Sequence, residues 1–172
     1  MLGSKLARRA IVLTTLIGSF QSASAASQGV FHSMAGSWKG PGRIELGKGG
    51  SEALLCKAYY TAKQGDLLGI AIRCASPSLK IELRAKLAVR GDQLIGSWEE
   101  RTFNASGSVS GRAKDDEISL SIEGGGFTAS MLVNHGGGRQ TVLITANGAA
   151  FTKVTLSLAR QESQQRRERS EG

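Results

Sequence analysis

The residues of this chain that could do chemistry are few and far apart. Its two cysteines are Cys56 and Cys74, and its two histidines are His32 and His135. Their spacing is not that of metal ligands, and no nucleophile elbow or phosphate-binding glycine loop accompanies them. We therefore expect no catalytic residue, no metal site and no cofactor, and we predict that the protein is not an enzyme.

The elements that must position these residues are short strands. Between Ser37 and Arg160 apolar and polar residues alternate, with turn-forming residues roughly every eight to twelve positions. The clearest example is 79–90, where apolar residues occupy one face and charged residues the other. The pattern predicts an all-β fold, an antiparallel up-and-down β-barrel of about eight to ten strands.

A turn centred on Gly65 would pair the strands that carry the two cysteines. In that hairpin Tyr60 opposes Ile70 and Cys56 opposes Cys74, at a separation that a disulfide can bridge. An exported chain with two cysteines in this register oxidises them. A metal site or a reactive thiol is the weaker interpretation, because no histidine or second cysteine pair lies nearby. We predict a Cys56–Cys74 disulfide.

A second hairpin, turning at 91–92, sets the direction of the second tryptophan. Its register places Trp98 opposite Ala85 and Glu100 opposite Leu83, so both side chains point inward. A buried carboxylate can have a raised pKa and do acid/base work. Glu100 could also lie at the rim of the barrel, in water.

The ends of the chain indicate export. Basic residues, a short apolar run and Ala23-Ser24-Ala25 have the order of a signal peptide, predicted over 1–25. A lead-in segment follows over 26–36, then the barrel domain over 37–160 and a polar, disordered tail over 161–172. We expect a periplasmic or secreted protein.

Charge and composition narrow the partners. The net charge is +8, and the basic residues are thinly spread without interleaved aromatics, so we expect no nucleic-acid binding. The excess charge suits weak attraction to anionic envelope surfaces. Strand 79–90 has a charged outer face and aromatic residues make up 5% of the chain. A membrane-spanning barrel needs an apolar outer face with aromatic girdles, so we expect that this chain is not an integral membrane protein.

The first strand opens with a motif that resembles the calycin-type barrels. Gly36, Trp38, Gly40 and Gly42 match the nitrobindin-like Gly-x-Trp-x-Gly-x-Gly, and lipocalins and avidins share the Gly-x-Trp. The resemblance implies that the tryptophan plugs one end of the barrel. A second Gly-Ser-Trp at 96–98 indicates a weak internal duplication.

The whole mature chain, without the predicted signal peptide, also resembles a small exported family of Gram-negative bacteria. The shared features are the Gly-Ser-Trp pair, the two cysteines and Asn-x-Ser-Gly-x-Val-x-Gly at 104–111. Nitrobindin-like proteins hold haem through a histidine on a late strand. Here His135 falls in a predicted hairpin turn and His32 precedes the first strand, so neither matches the position of that ligand. We therefore expect no haem binding in this chain. We expect both histidines to be peripheral.

Two functions remain for such a barrel. The first is non-catalytic binding of a small apolar or amphiphilic ligand inside it. The alternative is an envelope-associated interaction or structural protein whose barrel is filled by its own side chains. The residues that we expect to line the ligand site are Trp38, Tyr60, Leu83, Trp98 and Glu100.

Overall fold

The computed structural model describes residues 29, 31–63, 66–90 and 93–162. The predicted signal peptide lies outside these residues. The same holds for the turn residues at 65 and 91–92 and for the tail beyond residue 162.

The described chain folds into ten antiparallel strands that close into a barrel. The strands are β1 (Gly36–Leu46), β2 (Ser51–Lys63), β3 (Leu67–Ala75), β4 (Lys80–Arg90), β5 (Gln93–Glu100), β6 (Ala105–Lys114), β7 (Glu117–Gly124), β8 (Phe127–Gly136), β9 (Arg139–Asn147) and β10 (Phe151–Arg160). Each strand pairs with the next, and β1 pairs with β10. The predicted fold class is confirmed.

The hairpin registers follow the sequence prediction. Cys56 opposes Cys74 across β2 and β3, with Cα atoms 4.1 Å apart, and the two form a disulfide. Across β4 and β5, Leu83 opposes Glu100 and Ala85 opposes Trp98. Because side chains alternate between the two faces of a strand, the residues predicted to point inward in these hairpins do so.

The interior is one apolar core that reaches both ends of the barrel. Trp38 and Trp98 are both buried, with 2% and 5% of their surfaces exposed. Trp38 stands near the start of β1, whereas Trp98 stands near the end of β5. Because neighbouring strands are antiparallel, the two tryptophans occupy opposite ends. We call these the helix end, which Trp38 occupies, and the Trp98 end.

A single helical turn at 31–34 covers the helix end. Its Phe31 and Met34 are buried in the core, at 0% and 3% exposure. The sequence predicts a lead-in segment over 26–36, and one turn is too short to show helical periodicity. No helix of the described residues has the length and apolarity needed to cross a membrane.

Gly40 of the Gly-x-Trp-x-Gly-x-Gly motif lets β10 approach β1 closely. A Cβ atom at this position would stand 1.9 Å from the carbonyl oxygen of Ser157. This contact involves the backbone of the partner strand, so a side-chain rotation cannot relieve it. Gly69 on β3 differs, because its Cβ would meet nothing closer than 3.7 Å.

Replacing Cys56 and Cys74 with Ser should lower the free energy of unfolding by about 3 kcal/mol, since the bond restricts the unfolded chain over a separation of 18 residues. Urea denaturation of the variant and of the reduced wild type measures the loss. The unreduced protein should also weigh two hydrogens less than the reduced one. An unchanged urea midpoint would contradict the structural role of this bond.

Gly40→Ala should destabilise the barrel by about 3 kcal/mol, near the upper end of the usual cost of overpacking. Gly69→Ala is the matched control, and it should leave the stability unchanged or slightly raised, because alanine is favoured over glycine inside a strand. Thermal and urea denaturation compare the two variants with the parent. Equal stability of both variants would show that β1 and β10 can move apart.

Candidate functional site

A polar cluster lies inside the helix end of the barrel. It consists of Tyr60, His135 and Gln140, contributed by β2, β8 and β9. His135 and Gln140 are directly opposed across β8 and β9, and both face inward. They are 7% and 1% exposed, and Tyr60 is 4% exposed. Buried polar side chains in an apolar barrel need partners, so their hydrogen bonds decide what this end can hold.

Tyr60 and Gln140 satisfy each other in part. The Tyr60 hydroxyl donates to Gln140 Oε1 at 2.8 Å. Burial raises the pKa of Tyr60 well above its ordinary value, and the hydrogen bond to Gln140 offsets this only in part. Tyr60 is therefore a neutral donor at any physiological pH. The amide nitrogen of Gln140 has no hydrogen-bond partner within the described part of the chain.

His135 is the second polar side chain with an unused atom. Ser33 Oγ lies 3.4 Å from His135 Nδ1, whereas Nε2 has no partner among the described residues. Burial lowers the pKa of His135. Asp116 opposes that shift by its charge, and Arg160 adds to it. The imidazole is therefore neutral at pH 7, and its tautomer sets the direction of this contact: with the proton on Nε2, Ser33 donates to Nδ1.

The prediction that His135 lies in a turn at the periphery is wrong. The residue is part of β8, which extends to Gly136, and it is buried. The turn begins later, at Gly137 and Gly138, both of which have positive φ. The alternation that places Val133 inward continues for one more step to His135. His32 lies in the helical turn at 31–34 and is exposed.

The helix end is closed by contacts between the two ends of the described chain. Trp38 Nε1 donates to the Met34 carbonyl oxygen at 2.8 Å. The Arg160 guanidinium lies 4.5 Å from the centre of the Trp38 ring and donates to the carbonyl oxygens of Ser33 and Ala35. Arg160 thus holds the helical turn over the polar cluster.

The predicted lining residues do not form one site. Trp38 and Tyr60 lie together at the helix end, with ring centroids 6.4 Å apart. Trp98 lies at the other end against Phe127, with centroids 5.4 Å apart. Leu83 faces inward from β4 and is half-buried. Of the predicted lining residues, only Tyr60 belongs to the polar cluster and only Trp38 packs beside it.

Glu100, at the Trp98 end, is buried but bound to backbone. Its two oxygens accept hydrogen bonds from the N–H groups of Glu82, at 2.7 Å, and Phe103, at 2.6 Å. Burial alone would raise the pKa of Glu100, but these bonds and two from Thr102 outweigh it, so the pKa is lowered. Glu100 is therefore an ionised acceptor at the end of β5, and its hydrogen bonds fix the β5–β6 connection.

The outer wall carries two shallow grooves that run across the strands. Each lies between two cross-strand rows of outward side chains, with the backbone of the row between them as its floor. One, about 580 Å³, crosses β5 to β9 and is lined by Ile95, Ser110, Ser119, Ser121, Ser130 and Thr145, among others. The other, which we call the basic groove, has a volume of about 460 Å³ and crosses β1 to β4. Its charged and aromatic lining residues include Lys39, Lys57, Tyr59, Arg73 and Arg84, with Glu82 as the acidic one.

Metal binding finds no support in the described residues. They contain no group of three or more His, Cys, Asp and Glu side chains that could hold a metal ion.

The sequence analysis missed Gln140, the second residue of β9. Its position two residues before Val142 gives it the inward face of the strand. A polar residue on an apolar face was the signal that could have found it.

The solved structures that this chain resembles are barrels. Rv2717c from M. tuberculosis superimposes with a TM-score of 0.67 at 12% identity, over 80% of this chain and 99% of that one. The S-type phycobiliprotein lyase CPES from Guillardia theta gives 0.61 at 10% identity, over 83% and 96%. At such identities the likeness shows the fold alone. No protein-family model and no curated protein sequence matches the chain.

Stability should fall as the pH is lowered from about 7.5 to about 5, because His135 has a lower pKa folded than unfolded. The unfolded chain then takes up a proton that the folded chain excludes. Neutral His135 makes its full contribution to the free energy of unfolding above the ordinary histidine pKa. This contribution is lost as the pH falls through the lower pKa of His135 in the folded protein. Urea midpoints measure the slope, which should be smaller in His135→Leu.

His32→Ala is the control, because His32 is exposed. This variant should keep the pH slope of the parent. If His135→Leu and His32→Ala have the same slope as the parent, buried His135 is not what links folding to protons in this range.

Proposed function

We propose that the protein is a non-catalytic binding protein that takes a small amphiphilic molecule at the helix end of its barrel. The observation that supports this most is the pair of buried nitrogen atoms, Gln140 Nε2 and His135 Nε2, that have no partner in the described structure. A buried polar group without a partner costs about 1–3 kcal/mol. An acceptor oxygen on a bound molecule would satisfy the Gln140 amide, and it would satisfy His135 as well in the tautomer that carries its proton on Nε2.

The surroundings favour a molecule with an apolar part. The row that carries His135 and Gln140 continues across β10 and β1 to Leu158 and Cys56, and both of these are buried. Barrels of about eight strands are just wide enough for side chains to fill, and the diameter grows with strand number. Ten strands therefore leave more interior width. Inward-facing Ile70, Met131 and Ile144 are only partly buried and pack against the buried core, so they add apolar surface that a hydrocarbon tail could contact.

Arg160 favours a negative or strongly polar head group. Its guanidinium stacks on Trp38 at the same end, and its charge already acts on His135. We therefore infer an amphiphile with a carboxylate or similar acceptor and a hydrocarbon tail.

The same contacts support a binding role without catalysis. Ser33 and His135 are a hydroxyl and an imidazole in contact, at 3.4 Å. A nucleophile of this kind needs a base that a third group orients. His135 Nε2 has no such partner in the described structure, and ionised Glu100 is at the other end. We propose that no residue here is catalytic.

The compartment is part of the proposal. The Cys56–Cys74 disulfide supports function outside the cytoplasm, because cytosolic reductants keep such thiols reduced. The signal-peptide pattern of 1–25 points the same way. We propose a periplasmic or secreted protein.

Two probes with alkyl tails of matched length test the binding proposal. Laurate carries an acceptor head, and dodecyltrimethylammonium carries a cation that cannot accept a hydrogen bond. Below micellar concentrations, laurate should raise the melting temperature and bind at least about tenfold more tightly, the equivalent of one to two hydrogen bonds. Calorimetric titration gives the two affinities.

His135→Leu should lower the laurate affinity about fivefold by removing one donor, and His32→Ala should leave it unchanged. If neither probe binds, the alternative stands, namely a barrel filled by its own side chains that acts through its surface. If both probes bind equally, the polar cluster does not recognise the head group.

A further inference from the structure

The outer face of β1 to β4 carries most of its charge with one sign. The outward-facing cations of these strands are Lys39, Arg43, Lys57, Lys63, Arg73, Lys80, Arg84, Lys86 and Arg90. The outward acids are Glu45, which lies 3.7 Å from Lys153, and Glu82, which lies 3.8 Å from Arg73. Glu99 of β5 borders this face opposite Arg84. The face is strongly basic even after these pairs are counted.

Three of the cations lie side by side in one cross-strand row. The register places Lys57 of β2 between Lys39 of β1 and Arg73 of β3. Like charges in directly opposed positions of a sheet destabilise it. The diagonal neighbours of Lys57 are Ser37, Pro41, Ala71 and Ala75, and none of them carries a charge. An anion lying in the basic groove would relieve this repulsion.

Exposed apolar side chains lie on the same outer face as these cations. Leu55 and Tyr59 flank Lys57 on β2 and are 54% and 56% exposed, and Leu67 on β3 is 46% exposed. They are three of the five large apolar side chains that are exposed among the described residues. Tyr59 faces Ser37 and Ala71 across the sheet, so small neighbours leave its ring free to contact a partner.

We propose that the outer face of β1 to β4 docks on the surface of an anionic phospholipid bilayer. Lipid phosphates would lie in the basic groove against Lys39, Lys57 and Arg73. Tyr59 and Leu55 would enter the interface between head groups and hydrocarbon, where amphipathic aromatic rings are favoured. The proposal does not depend on a ligand inside the barrel.

This composition fits a bilayer better than a nucleic acid. A single-stranded nucleic acid is bound by several aromatic rings that stack on successive bases. The basic face offers one exposed ring, Tyr59, together with aliphatic Leu55 and Leu67. Aliphatic side chains find their counterpart in hydrocarbon and have none along a sugar-phosphate backbone.

Sedimentation with vesicles tests the proposal. The chain from residue 26 is used, because it holds every described element and lacks the apolar run near the N-terminus that could insert by itself. It should bind phosphatidylglycerol–phosphatidylcholine vesicles and not pure phosphatidylcholine. Raising the salt should weaken the binding, since screening shortens the reach of the charges.

Two matched pairs of substitutions locate the surface. Lys39→Gln with Lys57→Gln should weaken binding to the anionic vesicles about 25-fold, from about fivefold for each basic side chain near an anionic bilayer. Arg112→Gln with Arg139→Gln removes the same charge from exposed positions on β6 and β9. That control pair should leave the binding within about twofold of the parent. Tyr59→Ser should weaken the part of the binding that survives high salt.

Folding and ligand binding give separate checks. Neutralising Lys39 and Lys57 should keep or raise the melting temperature, because it removes a repulsion, and it should leave laurate affinity unchanged. Equal losses from both pairs would overturn the proposal by showing attraction to net charge alone. Absence of vesicle binding would overturn it as well. Retention on heparin without vesicle binding would assign the face to a polyanion instead.

Discussion

The close approach of β1 to β10 is the constraint on which the rest of the structure depends. A Cβ at Gly40 would meet the Ser157 carbonyl oxygen at 1.9 Å, and one at Gly42 would meet the Thr155 carbonyl oxygen at 2.6 Å. These last two of the three glycines in the opening motif therefore admit the last strand against the first. That contact converts a ten-strand meander, which would have two open edges, into a ring with none.

Closure of the ring also assembles the helix end. It places Arg160, the last residue of β10, beside Trp38 near the start of β1. The guanidinium can then stack on the Trp38 ring and donate to the carbonyl oxygens of the helical turn at 31–34. Residues far apart in the chain therefore form the cap that covers Tyr60 and Gln140. The polar cluster is a product of the topology.

Strand pattern and turn spacing were enough to predict about ten strands and the registers of two hairpins. The pairings of Cys56 with Cys74 and of Ala85 with Trp98 follow from turn position and alternation alone, because a side-chain period of two leaves one register that buries the apolar set. The barrel class follows from the same alternation, repeated along the chain without a helical segment.

The candidate site was predictable only in part. Pairwise register says which residues are neighbours across two strands, and the end of the barrel that each pair occupies follows only when strand direction is counted along the whole meander. The sequence analysis groups Trp38 and Trp98 by their inward direction, although they lie at opposite ends. His135 was assigned to a turn because three glycines follow it, and Gln140 was overlooked because single polar residues on an inner face are easily taken for strand ends. The helical turn at 31–34 leaves no periodic signal.

Two local conflicts stand out in a chain whose local preferences otherwise agree with its fold. Inside, Gln140 and His135 each keep a buried nitrogen without a partner among the described residues. Outside, Lys57 is opposed by a cation on each side. Both arrangements cost stability, and such departures from consistency concentrate where a sequence serves function.

Strand β2 connects the two conflicts, because its Tyr60 donates to Gln140 inside and its Lys57 faces two cations outside. Trp38 and Ala58 point into the barrel near the capped end, while their backbones form the floor of the basic groove between the Lys39–Lys57 row and the Ser37–Tyr59 row. An amphiphile that contacts Trp38 and Tyr60 inside and an anionic surface outside would therefore lie on the two sides of β1 and β2. Because a single layer of β-sheet separates them, the surface that would hold the protein on a bilayer lies next to the end that would take an amphiphile.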